Sequence, residues 1–211
     1  MTDLNLITHK LIPHSEVELV HNPIGDGNCG FRALAFELFG SEGRYIDVKD
    51  IMLIHYLENI DGDYKSYDHS YIQRILNPQS NEWFCYPECA QIAADTFKTP
   101  IVFYSADSST FFPLHITPNN AKRAHPIVLQ LMHAHIILVK IKHEPHIQWP
   151  VLYPEGRGNA YEVLANDPWY PIYRDVFDRS IRVLADHTLP DDADIHSIHS
   201  TDSEEAVNST K

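Results

Sequence analysis

One cysteine of this chain lies where a thiol can be prepared for nucleophilic attack. Cys29 ends the glycine-containing turn GDGNC, residues 25–29, and an apolar, helix-favouring run follows directly. A cysteine at a helix N-terminus faces free backbone N–H groups and the positive end of the helix dipole, which favour thiolate over thiol. Gly25 and Gly27 allow backbone conformations that aim N–H groups at a developing oxyanion. The spacing predicts an activated nucleophile.

The residues around Cys29 resemble the nucleophile signature of the ovarian tumour (OTU) family of cysteine proteases. The family pattern Asp-Gly-Asn-Cys-x-aromatic-Arg is matched without a gap by residues 26–32, with Phe31 as the aromatic residue and Arg32 as the arginine. A lone cysteine at a loop-to-helix junction is otherwise read as a small core residue. The resemblance places Asp26 in the site, in the loop that builds the oxyanion hole. The backbone N–H donors that it implies are those of Asp26, Gly27, Asn28 and Cys29.

A cysteine protease needs a base, and the chain contains 14 histidines. In OTU proteases the catalytic histidine begins a strand, after a hydrophobic strand and a short turn. His146 matches this pattern, because a strand predicted over residues 136–141 and a short turn precede it, and residues 146–153 are predicted to form a hairpin with that strand. His146 is therefore the predicted base, paired with the Cys29 thiolate. His135, which begins an apolar strand, is the alternative.

The residue that orients the base is left open. Many OTU proteases carry Asp or Asn two residues after the histidine, and Gln148 occupies that position here. A Gln oxygen can accept the ring N–H, although the side chain is longer than Asn and uncharged. Some family members take a polar group from upstream of the cysteine, where Asp3 and Glu18 are candidates. Without such a group the enzyme would be weak or inactive.

The composition restricts the classes of protein to which the chain can belong. With 211 residues, 44% of them hydrophobic, the chain is long enough for one folded domain. The formal charge of −13 argues against nucleic-acid binding, which needs a basic face. Three cysteines favour a reducing compartment, and neither a signal peptide nor a bilayer-spanning run is evident. We expect a cytoplasmic or nuclear monomer, without membrane association.

No cofactor and no metal is expected. The strongest metal candidate is the pair Cys85 and Cys89 with His69 nearby, but a structural zinc site usually takes four ligands and no second pair is obvious. The two cysteines are better read as residues that pack inward at the start of a helix.

The order of predicted elements indicates an α+β fold. Helices are predicted first and a hairpin-rich sheet follows, with strands over residues 100–104, 110–114, 127–131 and 136–141. The resemblance implies a papain-like OTU domain with a small, central, mostly antiparallel sheet flanked by helices. We predict a single such domain over residues 1–187, with a C-terminal helical extension over about 161–187. Residues 188–211 are predicted to form a disordered acidic tail.

The OTU resemblance implies a thiol-dependent deubiquitinase. Such an enzyme hydrolyses peptide or isopeptide bonds at the ubiquitin C-terminus, and its partners are ubiquitin or polyubiquitin conjugates. One alternative is a weak or inactive OTU-fold module that binds ubiquitin without turnover, which Gln148 motivates. The other is a cysteine protease with a non-ubiquitin substrate, such as a viral or mobile-element polyprotein.

Overall fold

A five-stranded mixed sheet forms the centre of the molecule. The computed structural model describes residues 3–123, 125–142, 146–154 and 161–188. The strands are β1 (Val17–His21), β2 (Ile101–Tyr104), β3 (Ser109–Phe111), β4 (Ile127–Met132) and β5 (His135–Ile141), in the spatial order β1-β5-β4-β2-β3. The helices are α1 (Cys29–Phe39), α2 (Tyr45–Glu58), α3 (His69–Leu76), α4 (Glu88–Phe97), α5 (Tyr161–Ala165) and α6 (Arg174–Thr188).

Antiparallel pairing dominates this sheet. Neighbouring strands run antiparallel except β2 and β4, which run parallel. The α+β class with a mostly antiparallel sheet is therefore confirmed. Helices cover one face of the sheet, where α1, α2 and α4 contribute to the largest hydrophobic cluster. Apolar residues from the N-terminal segment, including Ile7 and Ile12, cover the other face. Burial on both faces explains why the strands read as continuous apolar runs.

The first helix starts and stops where its sequence indicates. It begins at Cys29, directly after the glycine-containing turn, and ends at Gly40, which adopts a left-handed conformation with φ 73°. Residues 29–35 of α1 are all buried. The helix is thus fixed along its first two turns, and the N-terminus that carries the cysteine is held rigidly.

The prediction that residues 146–153 form a hairpin with β5 is wrong. No strand is assigned there in the part of the chain that the structure describes; instead Thr110 of β3 forms an isolated parallel bridge with Leu152. The antiparallel partner of β5 on that side is β1, which pairs with it from Val17 to His21. Because β1 and β4 already occupy the two edges of β5, no hydrogen-bonding edge is left for the segment that follows it.

The C-terminal helices pack on the body through one aromatic cluster. Trp169 is fully buried, stacks near Phe112, and donates its indole N–H to the carbonyl of Ile116 at 2.8 Å. Within the helical extension predicted over about residues 161–187, the final helix begins at Arg174, after a turn that contains Pro171. Of the predicted acidic tail, residues 188–211, Thr188 ends α6 and the rest lies outside the described residues. No described helix has the length and apolar character needed to cross a membrane.

Candidate active site

The nucleophile candidate lies at the junction between α1 and the sheet. Cys29 is the first residue of α1, and the first hydrogen bond of this helix runs from the Arg32 N–H to the Asn28 carbonyl at 2.8 Å. The Cys29 side chain is buried, and its Sγ accepts the backbone N–H of Ile136 at 3.3 Å. The sulfur therefore lies at a helix N-terminus and receives one backbone N–H from the sheet.

His135 directly precedes Ile136, the residue whose N–H contacts this sulfur. It begins β5 after a two-residue turn formed by His133 and Ala134, with φ 47° and 63°. Its Nε2 lies 2.8 Å from Oδ1 of Asn22, and since that oxygen only accepts, Nε2 carries the proton. Its Nδ1 therefore bears the lone pair. This nitrogen faces the nucleophile loop, residues 25–29, and lies 3.6 Å from the point where a Cβ on Gly25 would lie. The structure thus brings the alternative base to the cysteine.

His146 and Gln148 lie at the opposite end of the sheet. The His146 N–H donates to Oε2 of Glu16 at 3.2 Å, and Glu16 precedes Val17, the partner of Ile141 at the far end of β5. Six residue steps of about 3.3 Å separate the two ends of β5, or about 20 Å. Both residues line an open cavity there. The structure does not bring His146 and Gln148 together with Cys29, because the hairpin on which that placement depended does not form.

Asn22, which sequence reasoning missed, is the residue that holds the His135 ring. It directly follows β1, and the antiparallel pairing of β1 with β5 brings it next to His135. The upstream candidates Asp3 and Glu18 lie elsewhere: Asp3 accepts the N–H of Asn5, and Glu18 lies in β1 near the far end of β5. Its position in the sequence could have identified it, since Asn22 is a short polar residue between a strand and the nucleophile loop.

The Asp26 carboxylate holds the loop together. It accepts hydrogen bonds from Nε and Nη2 of Arg32 at 3.1 and 2.5 Å and from the Asn28 N–H at 3.0 Å. The Arg32 guanidinium and this backbone donor lower the pKa of Asp26 to about 2. The Asn28 N–H, one of the four predicted oxyanion donors, is thereby occupied. The N–H of Cys29 precedes the first bond of α1 and has no acceptor inside the helix.

The loop rests on a second segment, residues 77–82, and this contact requires glycine. Gly27 has φ +89°, and a Cβ there would lie 2.5 Å from the carbonyl oxygen of Asn81. A Cβ on Gly30 would lie 2.6 Å from the Phe84 side chain. Any larger residue at either position would therefore displace the nucleophile loop or the start of α1.

The other two cysteines form a close pair of thiols away from the nucleophile loop. Sγ of Cys85 lies 3.3 Å from Sγ of Cys89, and both are free. Burial raises the pKa of Cys89, so this thiol is a poor nucleophile. His69, the third zinc candidate, instead bonds to the Tyr56 hydroxyl through Nδ1 at 2.6 Å. Among the residues described, no group of three or more His, Cys, Asp or Glu side chains is arranged to hold a metal ion.

Comparison with known proteins finds a relative from the family that the motif around Cys29 resembles. No family model matches the chain. OTU domain-containing protein 4 of Mus musculus is 28% identical over 102 residues, which cover 45% of this chain and 8% of that protein. The chain is similar to OTU-domain proteins. The predicted OTU resemblance is thus confirmed, over a small fraction of the curated relative's length.

Solved OTU domains are also similar to this chain, at low identity. The viral OTU domain protease from Dera Ghazi Khan virus is 18% identical, with 60% of this chain and 88% of that chain covered and a TM-score of 0.46. The OTUD1 OTU domain is 18% identical, with 58% and 85% covered and a TM-score of 0.46. An OTU domain in complex with ubiquitin is 16% identical, with 81% and 90% covered and a TM-score of 0.43.

Proposed function

We propose that this chain is an OTU-type cysteine protease that hydrolyses peptide or isopeptide bonds at the ubiquitin C-terminus. The observation that carries the proposal is the convergence of three groups from separate segments. Cys29 begins α1, His135 begins β5, and Asn22 follows β1 and accepts the ring N–H of His135 at 2.8 Å. A thiol, a base and a group that orients the base are the parts that nucleophilic catalysis by cysteine requires.

Each group has a defined task in the proposed reaction. Nδ1 of His135 takes the Cys29 proton, and the thiolate attacks the carbonyl carbon of the scissile bond. The imidazolium then protonates the leaving amine, which gives a thioester, and His135 next activates the water that hydrolyses it. Asn22 holds the ring with Nε2 protonated, so that Nδ1 remains the basic nitrogen. The N–H groups of Cys29 and Asp26 are the proposed donors to the oxyanion.

Ubiquitin as substrate rests on the OTU resemblance alone. The nucleophile motif at residues 26–32 and the similarity to the mouse OTU domain-containing protein support it. A module that binds ubiquitin without turnover, and a protease for another substrate, are therefore separate outcomes of the test below.

A ubiquitin-propargylamide probe tests the proposal, with covalent adducts read by intact-protein mass. Wild type is expected to gain one ubiquitin, and Cys29→Ala none, whereas Cys85→Ser is the matched thiol control and should react like wild type. His135→Ala should slow adduct formation and turnover by at least about 100-fold, the range for losing a general base. His146→Ala should remain within about twofold of wild type, because its ring lies at the far end of the sheet.

Three results would contradict the proposal in different ways. If His146→Ala abolishes turnover and His135→Ala does not, the assignment of the base is wrong. If wild type binds ubiquitin but forms no adduct, the chain is a binding module. If it reacts only with probes built on other proteins, the chemistry stands and ubiquitin is not the substrate.

A further inference from the structure

A lysine lies buried beneath the nucleophile loop, where an apolar residue would be less costly. Lys49 is on α2, on the same helix face as the buried Val48, Met52 and Tyr56, and its exposed fraction is 0%. Taking an ammonium group out of water is expensive unless hydrogen bonds compensate for it. Burial lowers the pKa of Lys49 to about 8, so the group is still mostly protonated at pH 7. The position therefore keeps a buried positive charge.

All three N–H donors of this ammonium group have acceptors. Nζ of Lys49 lies 2.9 Å from Oδ1 of Asn28, 2.7 Å from the Ser80 carbonyl oxygen and 3.3 Å from Ser80 Oγ. The Nζ also lies 4.8 Å from the centre of the Phe31 ring. These hydrogen-bond acceptors are uncharged. The carboxylates of Asp26 and Glu82 and the thiol of Cys89 also act on Lys49 through their charge, and all three favour its protonated form.

Asn28 is the link from this lysine to the nucleophile. It is fully buried and precedes Cys29, and its amide group is held at both ends, by Lys49 and by Oδ1 of Asn81, 3.2 Å from Nδ2. The peptide that joins Asn28 to Cys29 carries the Cys29 N–H. Fixing the Asn28 side chain therefore fixes the direction of that donor and the start of α1.

We propose that Lys49 is a positioning residue that holds the nucleophile loop through Asn28 and whose charge favours the Cys29 thiolate. The inference rests on the proposed cysteine protease function. A positive charge inside the protein is weakly screened, so it adds to the field of the α1 N-terminus. Lys49 contacts neither substrate nor sulfur in this scheme, and it acts through the loop.

Lys49→Met tests both effects, because methionine is similar in length and has neither charge nor donors. Lys65→Met, a change of an exposed lysine, is the matched control. Two quantities are measured: the pH dependence of Cys29 alkylation by iodoacetamide, read by peptide mass, and kcat and KM on ubiquitin with a fluorogenic C-terminal amide. In Lys49→Met the midpoint of alkylation should rise by about one pH unit, with at least about a tenfold loss of kcat and KM within about twofold.

The outcomes separate this inference from the proposed function. If wild type hydrolyses ubiquitin and folded Lys49→Met keeps both its kcat and its alkylation midpoint, the inference is overturned. If wild type does not hydrolyse ubiquitin but the midpoint rises in Lys49→Met, the action of Lys49 on the thiol stands and the substrate assignment fails. If Lys49→Met does not fold, Lys49→Gln decides, because it removes the charge and keeps N–H donors, on a side chain one atom shorter. An unchanged midpoint in folded Lys49→Gln would overturn the electrostatic part.

Discussion

The ion pair between Asp26 and Arg32 is expected to stabilise the nucleophile loop by a measurable, pH-dependent amount. Its side chains are 34% and 11% exposed, and the paired Asp26 has a pKa of about 2 against an ordinary value of 3.8. A difference of 1.8 pKa units at about 1.4 kcal/mol each corresponds to about 2.5 kcal/mol. Solvent screening at the partly exposed carboxylate reduces this to about 1–2 kcal/mol.

The pH dependence follows from the direction of the shift. A carboxyl group whose pKa is depressed by folding contributes its full stabilisation above the unfolded value of 3.8, and loses it as the pH falls towards about 2. Asp26→Asn removes the charge while nearly keeping the shape. The free energy of unfolding in urea should therefore fall by about 1–2 kcal/mol at pH 7, with the difference from wild type narrowing below about pH 4.

An exposed ion pair provides the matched control. Arg44 and Asp47 are 52% and 47% exposed, so Asp47→Asn should cost no more than about 0.5 kcal/mol at any pH. Asp26→Asn should also slow turnover, because a looser loop holds the Cys29 N–H less well, but it should leave the acidic limb of the pH profile of kcat/KM in place. Equal stability of Asp26→Asn and wild type at pH 7, or a deficit that does not change with pH, would refute the reasoning.

Three further predictions concern single residues, and the first includes a control substitution. Gly27→Ala should cost more than about 2 kcal/mol of stability and suppress probe labelling, since both φ and the Asn81 carbonyl oppose a Cβ; Gly40→Ala, with positive φ but no atom within 4 Å of the new Cβ, should cost only about 1 kcal/mol. Ala134→Gly should raise the free energy of unfolding by about 0.5–1 kcal/mol, because φ 63° strains alanine, and an unchanged urea midpoint would contradict this. Trp169→Ala should cost about 3–5 kcal/mol by urea unfolding, and a loss under 1 kcal/mol would mean that the C-terminal helices are weakly attached.

The nucleophile loop could be predicted because its determinants are contiguous. Gly27 supplies the positive φ, Asn28 and Cys29 begin the helix, and the run that follows has helical character. The four strands at residues 100–141 could likewise be identified, since their apolar runs are short and bounded by polar turns. In each case the physical cause lies within about ten residues of its effect.

The proposed base, His135, could not be assigned in this way, because its surroundings depend on the pairing of distant strands. The turn before His135 consists of His133 and Ala134, both with positive φ, whereas the residues that usually announce such a turn are Asn, Asp and Gly. The residue that holds its ring, Asn22, lies 113 positions away along the chain, so no local pattern indicates this contact. By contrast, the polar turn before His146 matches the family pattern in sequence, but the segment that begins at His146 does not pair with β5.

The strand that the sequence did not reveal, β1, determines how the site is completed. Its pairing with β5 contains an irregularity between Val17 and Leu19, so that His21 pairs with Leu138, one position short of where a regular register would place it. Glu18, considered from sequence as an orienting group, is therefore the extra residue of a bulge. A register shift of one residue moves everything beyond it by about 3.3 Å along the partner strand. A displacement of that size would break the 2.8 Å hydrogen bond between His135 Nε2 and Asn22 Oδ1. The bulge therefore decides whether the imidazole is held in the tautomer that the proposed reaction needs.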